Sequence, residues 1–512
     1  MKSVAEVYHQ ETKYNEQEMF RYQRALDFNQ QPLPHKMYHT EKKIELGPYF
    51  PRIQGKSVTT LEETTAISSA SNASTVLPLE RKAISRLLYL TNGVTGIVRY
   101  PDGQSSILRA APSAGGLYPT EIYLAVRNVM DMQDGIYNYQ VLDHSMTLVW
   151  EGDYWPTLTK CCMEHEAIGH SHLLMILTAV YQRSTWRYAD RGYRRLLLDT
   201  GHLLGNLMAY APEEGFAPYP IAGFYDAALS SLLLLDPLEE GGLIVVALPQ
   251  RDAMSTTLKI NSAIPSQFSG VQLKDKIERA LQLHMTSSIL NGKESASNTP
   301  PKLSLSPKMH LPERETIDKE EVILSGTPLL WPDGVSETIQ ERRSTRRFTG
   351  EPYLQEELAS ILEYAYNPVV SEPAHFFTPS HLTTYLVVQK VMGLPAGVYR
   401  YNPQKKAVSC LKTGNFEEQT YHFCLGQALA RDAAALVIHT AHFPTALDQY
   451  GNRAYRYLHM DAGHIGERIN LAAIQMGLGV SGIGGFYDDE VNTLLGLSLD
   501  TIIVYITTLG RP

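Results

Sequence analysis

The sequence predicts a fused tandem of one α/β domain, and three observations lead there. Motifs in the first half of the 512-residue chain recur in the second half at one constant offset of 262. Short continuous apolar runs such as Leu173–Val180 (LLMILTAV) have the length and make-up of strands buried on both faces. That run is followed by a leucine-rich stretch with the spacing of a buried helix, Leu196, Leu197, Leu203, Leu204 and Leu207.

The repeat is the most specific of the three. Tyr123 matches Tyr385, Gly135-x-Tyr-x-Tyr139 matches Gly397-x-Tyr-x-Tyr401, and Thr178-Ala179 matches Thr440-Ala441. Tyr188 matches Tyr450, Arg191 matches Arg453, and Tyr193-Arg194 matches Tyr455-Arg456. Asp199-x-Gly-His202 matches Asp461-x-Gly-His464, and Gly223-Phe-Tyr-Asp226 matches Gly485-Phe-Tyr-Asp488. The alignment holds without a gap over roughly a hundred residues, long enough to carry a whole domain core.

Taken in order, residues 1–66 are polar with clustered aromatics and read as an N-terminal arm packed on the body. The first domain follows at 67–251. It opens on a helix from Leu79 (Ile84, Leu87, Leu88, Leu90) that ends at Asn92-Gly93, and then come a Pro/Gly loop, a strand at Tyr123–Val126 and the Leu173–Val180 strand. A buried helix ends near Gly215, and Leu243–Leu248 is a further strand. Residues 252–337 are a linker with one amphipathic helix (Leu273, Ile277, Ala280, Leu281) and a Ser/Pro/Asn-rich stretch. The second domain spans 338–512, with a helix at Leu354–Tyr366.

Composition excludes several functions. A formal net charge of −9, with no Lys/Arg run, gives no footprint for nucleic acid. Cys161, Cys162, Cys410 and Cys424 lack metal-ligand spacing, so no metal site is expected and the thiols read as reduced and mostly buried. With no apolar h-region and no run of about 18 apolar residues, the expected place is the cytoplasm, away from the membrane.

Two stretches carry chemistry. Ala110–Tyr123 (AAPSAGGLYPTEIY) puts Gly115 and Gly116 in a turn where backbone N–H groups can approach a flat or anionic ligand, although an ordinary turn into a strand fits the same residues. Glu341–Phe348 (ERRSTRRF) gathers four arginines and a serine before a helix, which is either an anion clamp or a solvated basic turn. The two copies differ at these places. The clamp falls opposite Ser68–Ser74 (SSASNAS), and Ser113–Gly116 falls opposite His375–Thr378 (HFFT). Complementary losses of this kind are expected when a two-site homodimer becomes a fused pseudo-dimer with one composite site.

These motifs together resemble the nitroreductase superfamily of flavin enzymes, and within it the SagB/ThcOx-type dehydrogenases that oxidise thiazolines and oxazolines in peptide natural products. The resemblance rests on RRSTRRF, PSAGGLYP, Arg-Gly-Tyr-Arg or Arg-Ala-Tyr-Arg helices ending Asp-x-Gly-His, GGFYDD and the closing Leu-Gly-Arg-Pro512. It implies an α+β fold of two tandem nitroreductase-like domains, each a central mixed or antiparallel sheet flanked by helices, joined as an intrachain pseudo-dimer. The implied cofactor is FMN. By position, Arg342, Arg343, Ser344 and Arg346 would hold its phosphate and ribityl chain with Arg511 helping. Pro112, Ser113, Ala114 and Gly115 would line the ring, and Gly484 and Gly485 would lie near its reactive nitrogen.

The implied reaction removes a proton from the azoline α-carbon as hydride passes to FMN. The family's Lys-Tyr pair is here Arg187-Tyr188 in one copy and Gln449-Tyr450 in the other. Arginine stays protonated, which leaves Tyr188 and Tyr450 as the candidate bases, with Tyr188 favoured because its half keeps the glycine loop. His202 and His464 read as hydrogen-bonded core residues, and Asp199, Asp461, Arg191 and Arg453 as structural ion pairs. The implied partners are a peptide or peptide-like heterocycle substrate and a cyclodehydratase or carrier protein; pairing into a homodimer stays open. Two other readings remain: an NAD(P)H-driven flavin oxidoreductase acting on a small molecule, and a leader-peptide-binding scaffold without catalysis.

Overall fold

A computed structural model of the chain describes residues 2–16, 25–38, 42–47, 79–250 (except 100, 102 and 104), 279–289, 321–366 (except 333) and 381–512. Two seven-stranded sheets form the body, and all the strand pairs in them are antiparallel. The first holds β1 (Lys43–Glu45), β2 (Thr120–Val126), β3 (Gly135–Gln140), β4 (Ser145–Glu151), β5 (Leu173–Val180), β6 (Tyr219–Ile221) and β7 (Glu240–Ala247), in the order β1-β4-β3-β2-β5-β7-β6. The second holds β8 (Glu321–Ile323), β9 (Leu382–Val388), β10 (Gly397–Asn402), β11 (Ala407–Thr413), β12 (Ala435–His442), β13 (Gly479–Ile483) and β14 (Thr501–Gly510), in the equivalent order β8-β11-β10-β9-β12-β14-β13. Helices flank both sheets, and the tandem read from the 262 offset is the architecture observed.

The strands form where the sequence is apolar without alternation. Leu173 to Leu177 on β5 are fully buried, because β5 lies between β2 and β7 and is covered on both faces. The first-copy helix spans Arg81–Asn92 and buries Ile84, Leu87 and Leu88. Gly93 stops it for a steric reason: a Cβ there would lie 2.4 Å from the Tyr89 ring. The helix that ends near Gly215 is interrupted. It runs as Tyr181–Tyr188, a 3-10 turn at Ala189–Arg191 and Gly192–Tyr210, and Gly215 closes the following turn at φ +80°.

The two copies meet along their longest helices, Gly192–Tyr210 and Ala454–Gln475, in which almost every side chain is buried. Helices buried all round lie at the centre of the core, and the charged and polar side chains they carry there, such as Arg194, Asp199, His202 and Glu467, have to find partners inside it. Here they also form the seam between the domains.

The repeat extends beyond the two domains. We name the helices of the arms and seam α1 (Val4–Glu11), α2 (Tyr181–Tyr188), α3 (Gly192–Tyr210), α4 (Arg279–Thr286), α5 (Phe443–Tyr450) and α6 (Ala454–Gln475). The arm helix α1 and the linker helix α4 are counterparts at an offset of 275. His9 Nδ1 meets Tyr455 Oη at 3.1 Å, and His284 Nδ1 meets Tyr193 Oη at 3.0 Å. Ala5 N–H donates to Asn452 and Ala280 N–H to Asp190, each at the matched position of the other copy. The linker helix is therefore the second domain's own arm, starting at Arg279 within the described residues. The 13-residue change in offset hid this equivalence. SSASNAS at 68–74 and HFFT at 375–378 lie outside the described residues, as does most of the Ser/Pro/Asn-rich stretch.

Candidate active site between the copies

Two swapped ion-pair clusters fix how the copies face one another. Asp488 of the second copy receives Arg191 Nη1 and Arg194 Nη1 of the first, both at 2.7 Å. Asp226 of the first receives Arg453 Nη1 and Arg456 Nη1 of the second, also at 2.7 Å. All six side chains are buried, and each arginine pair also binds the nearby arm: Arg194 Nε donates to Thr12 Oγ1 and Arg456 Nε to Ser287 Oγ. The ion-pair role expected of Arg191 and Arg453 is thus observed, and it runs between the domains.

Asp199 departs from that expectation. Among the described residues no arginine forms an ion pair with it; instead it accepts from Ser113 Oγ at 2.5 Å and from the Ala114 N–H at 3.1 Å. Burial pushes its carboxyl up to about 6, against the pull of those two hydrogen bonds. Its task is to hold the glycine loop. Ser113 Oγ in turn accepts the Tyr118 N–H at 2.9 Å, and Gly115 and Gly116 adopt φ values of +68° and +66° that suit glycine.

The RRSTRRF segment divides in two. Arg342 is buried and reaches across the seam, donating from Nε to the Ala110 carbonyl at 2.7 Å and from Nη2 to the Arg109 carbonyl at 3.2 Å. Burial lowers its pKa, with Glu467 acting in the opposite sense. Arg343 Nη2 donates to the Thr95 carbonyl at 2.7 Å. Both therefore brace the first copy's loop and hairpin. Ser344 is half-buried and Arg346 and Arg347 are exposed, so these are the clamp side chains open to solvent. Thr345 pairs with Val480 on β13, so the clamp and Gly484–Gly485 lie along the two ends of one strand. Arg511 is turned to Glu357, with Nη2 at 2.8 Å from both carboxylate oxygens, and is committed there.

Tyr188 and Arg187 come to the glycine loop from the end of α2. A Cβ on Gly115 would lie 2.7 Å from Tyr188 Oη and 3.1 Å from Arg187 Cδ, so the missing side chain is what lets them approach. Tyr450, the counterpart in the second copy, is buried at the end of α5. Its hydroxyl accepts from Gln449 Nε2 at 2.6 Å and its ring packs on His381 and Tyr457. The two tyrosines therefore occupy unlike settings, and Tyr188 is the one at the loop.

Sequence reasoning missed Arg195, Glu467 and Asn206. The Arg195 guanidinium stacks on the Tyr188 ring at 3.8 Å and lies against the second copy, where a Cβ on Gly484 would sit 2.7 Å from its Nη1. Glu467, fully buried, accepts from His202 Nδ1 at 2.7 Å, while His202 Nε2 meets Tyr505 Oη at 2.9 Å. Asn206 links Glu467 Oε1 (2.9 Å) to the Ala111 N–H (3.3 Å). His202 is a hydrogen-bonded core residue as expected, and it belongs to a chain of contacts from the second sheet to the loop. A signal for these residues was available. On matched helices the copies differ at Arg195/Tyr457, Gly205/Glu467 and Asn206/Arg468.

The structure thus brings Arg187 and Tyr188 against Gly115, stacks Arg195 on Tyr188 and sets it beside Gly484 and Gly485 of the second copy, while Arg342 ties the arginine segment to the base of the loop. Among the described residues no three His, Cys, Asp or Glu side chains are grouped to hold a metal ion, no helix is long and apolar enough to cross a membrane, and the four cysteines are free.

Two antiparallel α+β domains back to back across a helix seam, with a glycine loop and an arginine segment meeting at it, define a class of protein. The Nitroreductase family matches residues 78–248 and 339–511, and the chain belongs to that family of oxidoreductases. A crystal structure of a putative nitroreductase from Anabaena variabilis ATCC 29413 superposes with a TM-score of 0.84 at 36% identity, covering the whole of both chains. A putative nitroreductase of Methanocaldococcus jannaschii is 29% identical over 156 residues, 30% of this chain and 75% of that protein. The microcin B17-processing protein McbC of Escherichia coli is 27% identical over 145 residues, which is 27% of this chain and 53% of McbC.

Proposed function

We propose that the chain is an FMN-dependent oxidoreductase with one composite site, dehydrogenating thiazoline or oxazoline rings to thiazoles or oxazoles in a peptide natural-product pathway. The observation that carries the proposal is the meeting of the Gly115 loop, Tyr188 and Arg195 of one copy with Gly484–Gly485 of the other, with Arg342 joining the arginine segment to the Ala110 carbonyl at the base of that loop. These residues suit FMN. The backbone is open at Gly116, where a Cβ would meet nothing within 4 Å, Tyr188 and Arg195 pack directly on Gly115 and Gly484, and the buried Arg195 Nε has no hydrogen-bond partner among the described residues.

Bound FMN would supply the hydride acceptor. Ser344 and Arg346 would hold its phosphate, the loop at Pro112–Gly115 would line the ring, and the backbone at Gly484 and Gly485 would face its reactive side. Tyr188, set against Gly115, would take the proton lost from the substrate, and Arg187, always charged, would orient it.

The similarity to McbC supports a peptide heterocycle as substrate, with a processing partner to present it. The full-length likeness to a putative nitroreductase, together with the exposed Arg187 where azoline oxidases carry lysine, favours the second reading of NAD(P)H-driven reduction of a small molecule. The visible spectrum of the purified protein, with FMN quantified after denaturation, tests the cofactor. One equivalent per chain is expected, and two would end the composite-site reading. A thiazoline peptide and a nitroarene with NADPH, offered in parallel, separate the two enzyme readings. A colourless protein that takes up no FMN yet binds peptide would replace both with the scaffold.

A further inference from the structure

The N-terminal arm brings a second tyrosine to this site. After α1 the chain is tied down by Arg191 Nη1 to the Thr12 carbonyl (2.7 Å), Arg194 to Thr12 Oγ1 and the His9 carbonyl (3.0 and 2.7 Å), and Lys13 Nζ to Asp489 (2.7 Å). Tyr14 is thereby held over the seam. Its ring lies under the Arg191 guanidinium at 4.2 Å, and its hydroxyl accepts from Arg195 Nη2 at 3.3 Å. Its Cε2 lies 3.9 Å from where a Cβ on Gly485 would be. Arg195 thus has Tyr188 stacked on it, Tyr14 hydrogen-bonded to it and Gly484 beside it, while its buried Nε has no partner among the described residues.

The other side of the pseudo-dimer lacks the arrangement. At the matched positions, Ile289 replaces Tyr14 at the end of the second arm and Tyr457 replaces Arg195. Tyr457 Oη donates to the Ala222 carbonyl at 3.1 Å, and the Ile289 N–H donates to Asp226 at 2.8 Å. Both members of the pair are present on the side that keeps the glycine loop and absent from the side that lacks it.

Resting on the functional reading above, we propose that Tyr14 is a proton-handling residue of the composite site, held there by Arg195. The groups around it are Arg191 from the turn before α3, Arg194 and Arg195 from α3, Asp488 bound to the first two, Lys13 turned to Asp489, and Tyr188 across Arg195. Burial works to raise the Tyr14 pKa, but Arg195 and Arg191 outweigh it and hold the phenol below its ordinary value. Tyr188 and Tyr14 flank the one Arg195 guanidinium, so a phenolate at Tyr14 would receive in turn the proton that Tyr188 takes from the substrate carbon. The resulting phenol would return that proton to water.

The test is the pH titration of tyrosinate absorbance in the full chain, wild type minus Tyr14→Phe. The expected difference is the amplitude of one tyrosine ionising below about pH 10, the usual value. Arg195→Met should shift it upward and Arg195→Lys restore it in part. With FMN loaded, Tyr14→Phe should keep one flavin per chain and move the acid limb of the pH profile for flavin reduction by a thiazoline peptide. A difference titration with no transition below the ordinary value, or an unmoved pH profile, overturns the proposal. Loss of FMN from wild type and variant alike would instead overturn the flavin reading, since the tyrosinate difference is read without flavin.

Discussion

Gly201 and Gly463, matched residues of the two copies, face one another across the helix seam. A Cβ on Gly463 would lie 2.3 Å from the Leu198 carbonyl oxygen and 3.1 Å from the Gly201 Cα, and one on Gly201 would lie 2.2 Å from the Met460 carbonyl oxygen. The obstacles are backbone, so the helices themselves would have to separate. Gly463→Ala and Gly201→Ala should each cost about 1–3 kcal/mol in urea unfolding, the usual range for overpacking a tight core. Because the site spans the seam, both should also lower the FMN retained per chain. Wild-type stability in either variant would show that the seam does not close at these glycines.

The swapped clusters predict an acid limit to stability. Burial alone would raise the Asp488 pKa, but Arg191 and Arg194 outweigh it and hold the carboxyl far below the usual range. A depressed folded-state pKa means stability that is complete above the unfolded value of about 3.9 and is lost as pH falls below it. Asp488→Asn leaves two buried guanidinium groups short of their counter-charge and should cost about 3–5 kcal/mol at neutral pH. Unfolding curves at neutral and acid pH should show the gap to wild type closing as pH falls. A constant gap would mean that the charge on Asp488 contributes nothing.

Strand and helix positions were legible because period and apolar run length carry them: β5 has the limits read from LLMILTAV, and Asn92-Gly93 ends its helix. The repeat exposed the pseudo-dimer, since a rigid register survives duplication wherever a core must be refilled. The arm equivalence was not legible, because a change of register and weak similarity between VAEVYHQE and RALQLHMT conceal it. Site chemistry was legible by residue type and not by direction. The composition of RRSTRRF does not say that Arg342 turns inward to carbonyls while Arg346 turns out, which depends on the Thr345–Val480 pairing. Nor does Asp199 announce that its partner is a loop backbone.

That division gives Arg342 and Arg346 separable phenotypes. Arg342→Ala leaves the Ala110 carbonyl without the Arg342 donor and removes the positive charge 3.9 Å from the buried Glu467, and should cost about 1–3 kcal/mol of stability as well as flavin binding. Arg346→Ala removes an exposed side chain, so stability should stay within about 0.5 kcal/mol of wild type. Losing one charge-assisted contact to phosphate should weaken FMN binding about 10- to 100-fold. Thermal unfolding without flavin and fluorescence titration with FMN read the two effects apart. Equal loss of stability in both variants would contradict the division.

Neighbouring glycines in the loop separate backbone strain from displacement of Tyr188. Gly115 and Gly116 have nearly the same positive φ, so alanine at either should cost about 1 kcal/mol from conformation alone. Their surroundings differ. A Cβ at Gly115 meets Tyr188 Oη at 2.7 Å, whereas one at Gly116 meets nothing within 4 Å. Tyr188 can yield only by leaving the Arg195 guanidinium on which it stacks, since Gly115 closes the other side. Gly115→Ala should therefore slow flavin reduction by a thiazoline peptide at least tenfold, close to the loss in Tyr188→Phe. Gly116→Ala should share the stability cost and keep the rate. If both variants lose rate equally, the loop conformation and not the placement of Tyr188 sets the chemistry.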